Sequence, residues 1–252
     1  MPEGLVIPII DYGVESVRLE GQSISGDMYI IKKTDIGVLI GVVDGVGHGT
    51  EAAAAADLAV STLSEHADES LITLAKLCHE RLKGTRGAVM ALAAINQSEG
   101  TLTWLSIGNV EGVLIRSDPQ SSPVCENIVK RSGVVGYRLP PIYASVFSIS
   151  NGDIIILSTD GVREDYAPKI VSAIYHANDR QAISVETVQG KPTTDTPWTE
   201  YSAREINLSS SLSPEWNRIL SSPKKLAEYI CRNFSKGSDD ALVVAAKYIV
   251  KT

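Results

Sequence analysis

The sequence predicts an α+β fold, a four-layer α/β/β/α sandwich in which two mainly antiparallel sheets pack face to face with helices on the outer faces. Three observations carry this expectation. Two apolar runs, 28–32 and 36–43, flank turn residues and read as an antiparallel hairpin. Two stretches free of Gly and Pro, 50–66 and 69–83, follow with no strand between them and read as a helix pair. A long series of short β-rich segments then leads through further helices to one last apolar strand after Asp240.

Taken in order, 50–66 is rich in alanine, with Thr50 placed as its N-cap and the small face 52–56 suited to close packing on a sheet. The second helix, 69–83, sets Leu71, Leu74, Ala75, Cys78 and Leu82 at helical spacing and stops at Gly84. Strands are expected at 88–95, 102–107, 110–115, 128–130, 143–149 and 154–157, separated by turns at 97–100, 117–123 and 151–152. This series reads as one long antiparallel meander. Residues 163–176 read as a helix despite Pro168, and 214–234 contains another, centred on 223–234. The stretch 177–213, rich in Ser and Thr with Gly190, Pro192 and Pro197, has no periodicity and is expected to be either a mobile flap or an inert insertion. The whole chain, 1–252, is expected to form a single domain.

With 44% hydrophobic residues among 252, a sizeable core is available. The balance of 23 basic and 30 acidic residues gives a net charge of −7 with no basic block, which argues against nucleic acid as a partner. Cys78, Cys125 and Cys231 lack paired spacing, so neither a disulfide framework nor a zinc site is expected. No signal-peptide pattern or membrane-length apolar run occurs, and a soluble cytoplasmic protein with no membrane partner is expected.

Chemistry concentrates where apolar runs end in aspartate. The run 38–43 enters Asp44-Gly45-Val46-Gly47-His48-Gly49; 154–157 leads through Ser158 and Thr159 to Asp160 and Gly161; Asp239 and Asp240 open 241–246. In an antiparallel sheet such ends can share one edge. Asp27 and Asp44 lie equidistant from a turn centred between Asp35 and Ile36, so they should face each other at the hairpin's open end. Like charges opposite one another destabilise a strand pair, and burying them without a counter-charge costs more. A divalent cation is the simplest remedy, and an all-oxygen donor set favours Mg²⁺ or Mn²⁺ over Zn²⁺. Gly45, Gly47 and Gly49 would let the backbone turn sharply and approach a ligand, with the next helix offering its N-terminus to an anion.

Four segments in this order, Ser25-Gly26-Asp27, Asp44 to Gly49, Ser158-Thr159-Asp160-Gly161 and Ser238-Asp239-Asp240, resemble the metal-dependent protein serine/threonine phosphatases of type 2C. More narrowly they are similar to the bacterial branch that includes the stage II sporulation protein E phosphatase domain and the stressosome feedback phosphatase RsbX. Ser106, Ile107, Gly108 and Asn109 resemble that branch's turn between two central strands. The resemblance covers about residues 12–176 and 223–250.

It implies two Mn²⁺ or Mg²⁺ ions in a central cleft. Asp44 would bridge both, and Gly45 would give its carbonyl to one. Asp160 and Asp239 would hold the other metal; Asp240 remains a candidate beside Asp239, which the family's final motif favours by placing its ligand first in the pair. Asp27 would act on the second ion directly or through water. Hydrolysis of phosphoserine or phosphothreonine by a metal-activated water follows, on a phosphorylated bacterial signalling protein such as an anti-sigma antagonist or stressosome scaffold. His48 could protonate the leaving oxygen or simply hydrogen-bond the loop. His66, His79 and His176 read as ordinary helix residues. The eukaryotic members' phosphate-clamping arginine has no counterpart before Asp27, since the context of Arg18 does not match. Two other classes stay open: a catalytically silent adaptor of the same fold, and a metallohydrolase of small phosphoesters.

Overall fold

The computed structural model describes residues 9–118, 120–175 and 214–250. It opens with a strand the sequence reading did not anticipate, β1 (Ile10–Val17), in which Ile10, Tyr12 and Val14 join the core at period two. Its pairing partner lies at the far end of the chain, so no hairpin signal marks it. The expected hairpin follows as β2 (Asp27–Lys33) and β3 (Gly37–Gly45), with Asp27 opposite Asp44. Strand β3 is central and covered on both faces, which is why its apolar run is continuous rather than alternating.

Helix α1 (Thr50–Glu65) begins one residue earlier than expected: Gly49, not Thr50, is the N-cap, and it makes no side-chain cap. Ala52, Ala55, Ala56 and Ala59 are fully buried, letting the helix axis approach the sheet. Helix α2 (Leu71–Arg81) is shorter than expected because Ser70 caps it, its Oγ accepting the Thr73 N–H at 3.2 Å.

The following strands are β4 (Ala88–Asn96), β5 (Thr101–Ile107), β6 (Glu111–Ile115), β7 (Cys125–Asn127), β8 (Ser145–Ser148) and β9 (Ile154–Ser158). They do not form the single expected meander. After β5 the chain crosses to the other sheet as β6, returns for β8, and crosses again for β9. The strand expected at 128–130 lies at β7, three residues earlier, and that expected at 143–149 contracts to β8. Helix α3 (Tyr166–Tyr175) tolerates Pro168 in its first turn, where no intrahelical N–H bond is lost. Helices α4 (Pro214–Leu220) and α5 (Pro223–Phe234) precede the closing strand β10 (Ala241–Tyr248). Among the described residues no helix is long and apolar enough to cross a membrane.

The two sheets run β1-β10-β9-β6-β7 and β2-β3-β4-β5-β8, every neighbouring pair antiparallel. Successive residues of one strand serve different layers. Ile40 and Val42 meet Leu157 and Val244 between the sheets, whereas Leu39 and Val43 pack beneath α1 and α2. Val243 and Ala245 pack beneath α3 and α5. The result is the α/β/β/α order expected. The ends of β1, β3, β5 and β9 and the starts of β2, β4, β6 and β10 fall on one edge.

One residue of that edge carries a testable cost. Glu111, the first residue of β6, has a buried Oε2 with no hydrogen-bond partner among the described residues. Burial pushes its carboxyl up from the usual 4.5 to about 7; Glu164 adds to the rise, while Lys130 and Lys236 oppose it. A raised carboxyl favours the protonated form in the fold, so its contribution is greatest below pH 4.5 and is lost as pH rises through about 7. Glu111→Gln is therefore expected to stabilise the protein near pH 8 by on the order of 1–2 kcal/mol, and to have little effect in acid. Urea unfolding at both pH values checks this; equal effects would remove the titration argument.

Candidate active site

The hairpin delivers the first pair of carboxylates. Asp27 opens β2, Asp44 stands one residue from the end of β3, and the Gly45 N–H donates to the Gly26 carbonyl at 3.1 Å. The second sheet delivers Asp160, just past β9, and Asp239 and Asp240, just before β10. The five expected acids thus come to one end of the sandwich from both sheets.

Thr159 joins the two sets. Its Oγ1 donates to Asp27 Oδ2 at 2.7 Å and accepts the Leu242 N–H at 2.9 Å, while its own N–H donates to the Leu242 carbonyl at 3.0 Å. One fully buried hydroxyl therefore fixes the Asp27 carboxylate against the opposite sheet. Asn109, in the turn between β5 and β6, donates through Nδ2 to Asp160 Oδ2. The adjacent acids differ sharply. Asp240 is 7% exposed, and its two oxygens accept the N–H groups of Leu19 at 2.8 Å and Gly26 at 2.9 Å. Asp239 is exposed on the cleft wall, its Oδ1 accepting the Asp240 N–H at 2.9 Å.

Glycine at two motif positions answers close packing. A Cβ on Gly45 would stand 2.0 Å from the Ala52 carbonyl oxygen, and one on Gly161 would stand 1.8 Å from that of Asp240. Neither strand end could close on its neighbour with a larger residue. Gly47 and Gly49 meet the expectation of a sharp turn, at φ +92° and +80°.

The electrostatics follow from this crowding. Burial, foremost, raises the Asp44 carboxyl from 3.8 to about 8, with Asp27, Asp160, Asp239 and Asp240 adding to the rise. Burial likewise raises Asp27 to about 7; the Thr159 hydroxyl opposes the shift, and Asp240, Asp239 and Asp160 reinforce it. Asp160 is raised by burial and then by Asp239, while Lys236 and the Asn109 amide pull it down. Asp44, Asp160 and Asp239 line a cleft of about 580 Å³ whose walls also include Gly47, His48 and Asn109, whereas Asp27 and Asp240 are not among its lining residues. Among the described residues no three Asp, Glu, His or Cys side chains close into a chelate on their own. The donor set is nonetheless all oxygen and mutually repulsive, the chemistry a hard divalent cation fits.

His48 is exposed on the cleft wall. His79 is structural, its Nδ1 accepting the Gly136 N–H at 3.0 Å. Arg18 donates to the Ser23 carbonyl at 2.8 Å and so braces its own loop. His176 and the stretch 177–213 lie outside the described residues. Sequence reasoning gave no role to Thr159 or Asn109, although both sit inside quoted motifs. Thr159 adjoins the candidate Asp160 in sequence but bonds the distant Asp27, and Asn109 has no candidate acid next to it, so neither role had a local signal.

A family model described as stage II sporulation protein E (SpoIIE) matches residues 34–205. The phosphoserine phosphatase RsbX of Bacillus subtilis (strain 168) is 26% identical over 151 residues, which cover 59% of this chain and 73% of that protein. A crystal structure of RsbX in complex with magnesium superposes with a TM-score of 0.69 at 18% identity, covering 97% of this chain and 98% of that one. A structure of the PP2C phosphatase domain and a fragment of the regulatory domain of SpoIIE from Bacillus subtilis superposes with a TM-score of 0.60 at 16% identity, over 96% of this chain and 64% of that one.

Proposed function

The chain belongs to the stage II sporulation protein E (SpoIIE) family, and on that premise we propose that it is a metal-dependent phosphatase of phosphoserine or phosphothreonine on a bacterial signalling protein. The observation that carries this reading is the gathering of aspartates from both sheets at one end of the sandwich, where Asp44, Asp160 and Asp239 line the cleft and Asp27 and Asp44 are raised to about 7 and about 8. A core without a bound cation gains nothing from such repulsion. The whole chain, 1–252, acts as one domain in this reading, in the cytoplasm. Its substrate belongs to a partner-switching pathway, as an anti-sigma antagonist or a stressosome scaffold would; the relative named phosphoserine phosphatase RsbX supports this.

Asp44 and the Gly45 carbonyl, with Asp160, Asp239 and Asp27, are the groups that would hold two Mn²⁺ or Mg²⁺ ions. When bound, such ions supply an acidified water nucleophile and neutralise charge on the phosphoryl oxygens. The chain's own residues prepare the site. Thr159 sets the direction of the Asp27 carboxylate, and Asn109 sets that of Asp160. Asp240, committed to two backbone N–H groups, serves the frame of the site, which leaves Asp239 as the ligand of the pair. The test is turnover of a phosphoserine peptide with Mn²⁺, with and without chelator; no metal-dependent release of phosphate would sink the reading.

In this reading His48, exposed on the cleft wall, gives a proton to the departing serine oxygen. His48→Ala should then slow phosphoserine, whose alkoxide leaves poorly, by about 10²-fold, and an activated aryl phosphate far less. Equal losses on both esters would assign His48 to the loop instead.

A further inference from the structure

In a chain of net charge −7 with 30 acidic residues, the stretch 127–152 contains no Asp or Glu. It carries Lys130, Arg131 and Arg138, and part of it, Ser132 to Val134, is a wall of the cleft that holds Asp44, Asp160 and Asp239. The backbone here is fixed on both sides of the site. The Gly108 N–H, beside Asn109, donates to the Arg131 carbonyl at 2.8 Å, and Ala88, at the start of β4, exchanges bonds of 3.0 and 2.8 Å with Val135.

From that anchor the chain makes a tight turn. Val134 and Arg138 exchange bonds of 2.9 and 2.8 Å, and the Gly136 N–H rests on His79. Val135 is fully buried, and Leu139 and Ile142 pack on the core under α1 and α2. The tip is turned the other way. Tyr137 is 84% exposed, Arg138 is exposed beside it, and Tyr143, 63% exposed, lies under the Arg131 guanidinium at 4.5 Å. Among the described residues neither Arg131 nor Arg138 pairs with a carboxylate.

We propose that this loop is the docking surface for the polypeptide that carries the phosphorylated residue, and that its occupant is an acidic segment flanking that residue. The inference rests on the phosphatase reading and adds the substrate's local chemistry to it. A loop held from below and displaying Tyr and Arg meets a partner with little ordering cost, and these residue types commonly dominate binding. The charge fits as well. An acidic flank would be repelled by the acidic surface elsewhere and attracted at this stretch beside the cleft, which lacks acids and displays Arg131 and Arg138. Lys130 contributes less, because Glu164 already pairs with it.

Two synthetic peptides test this, each with one phosphoserine, flanked by aspartates in one and by asparagines in the other. The wild-type protein should favour the aspartate peptide in kcat/KM by about tenfold, and added salt should shrink that preference. Tyr137→Ala combined with Arg138→Glu should abolish the preference while leaving hydrolysis of an aryl phosphate unchanged. Anisotropy titrations with the unphosphorylated peptides read docking without chemistry. Charge-dependent binding without turnover of any ester would overturn the phosphatase reading and keep the docking surface. Turnover with no preference between the peptides would keep the phosphatase and overturn the docking surface. A wild-type dimer that the double variant dissociates, again without peptide preference, would assign the surface to a second copy of the chain and also overturn the proposal.

Discussion

Asp44→Asn is expected to lower turnover by on the order of a hundredfold or more, because it alters the one side chain assigned to both ions. The substitution nearly conserves shape, so the fold should survive. Its effect on stability should have the opposite sign to its effect on catalysis. The folded Asp44 carboxyl is raised from 3.8 to about 8, so its contribution to stability is full below 3.8 and is lost as pH rises through about 8. In chelator near pH 8 the Asn variant should therefore be more stable than wild type, by on the order of 1–3 kcal/mol. With Mn²⁺ that advantage should be cancelled or reversed. A ligand present at about a hundred times its Kd stabilises by about 2.7 kcal/mol, and the variant should lose most of that gain. Calorimetry and phosphoserine hydrolysis on the same samples separate the two effects. Near-normal turnover at saturating Mn²⁺, with the fold intact, would falsify the ligand role.

Local signals made much of the fold legible. The turn centred between Asp35 and Ile36 fixed the register of β2 on β3, and Asp27 does stand opposite Asp44. Alanine spacing in α1 and leucine spacing in α2 placed the helix pair on one sheet face. What the sequence hid was partnership at a distance. Strand β1 pairs with β10, more than two hundred residues away, and no turn chemistry marks such a ladder. The meander failed for the same reason. Segments β4 to β9 all read as strands, but period-two patterning does not say which sheet a strand joins when both faces are covered. The turn at Gly108 and Asn109 makes the first crossing, and it also delivers the amide that holds Asp160.

The candidate site shows the same division. Each aspartate could be found from the apolar run beside it, because a carboxylate at the end of a buried strand is out of place without a partner. The support for those aspartates could not. Thr159 and Asn109 act through single hydrogen bonds to acids that are 132 and 51 positions away in sequence. Asp240 is the sharpest case, since its neighbour Asp239 has the same side chain, and only the backbone of the 19–26 segment separates their roles.

That separation yields the second large effect. Asp240→Ala removes the acceptor of the Leu19 and Gly26 N–H groups, the latter bond fully buried. Bonds to a charged acceptor contribute about 1.5–3 kcal/mol each, so a loss on the order of 3–5 kcal/mol is expected. Some repulsion is relieved in return, but Asp240 ranks below burial among the causes that raise Asp27 and Asp44, so the lost bonds should dominate. For a chain of this size that corresponds to a fall in Tm of roughly 10 °C, measurable in chelator without reference to metal. Asp240→Asn retains one acceptor but turns an NH₂ group toward the other N–H, and should fall between. Asp239→Ala should behave oppositely: its exposed carboxylate holds one neighbouring N–H, so Tm in chelator should hardly move while the Mn²⁺-induced rise disappears. The reverse pattern, an unchanged Tm in chelator with loss of the Mn²⁺ response in Asp240→Ala, would make Asp240 the ligand and Asp239 the support.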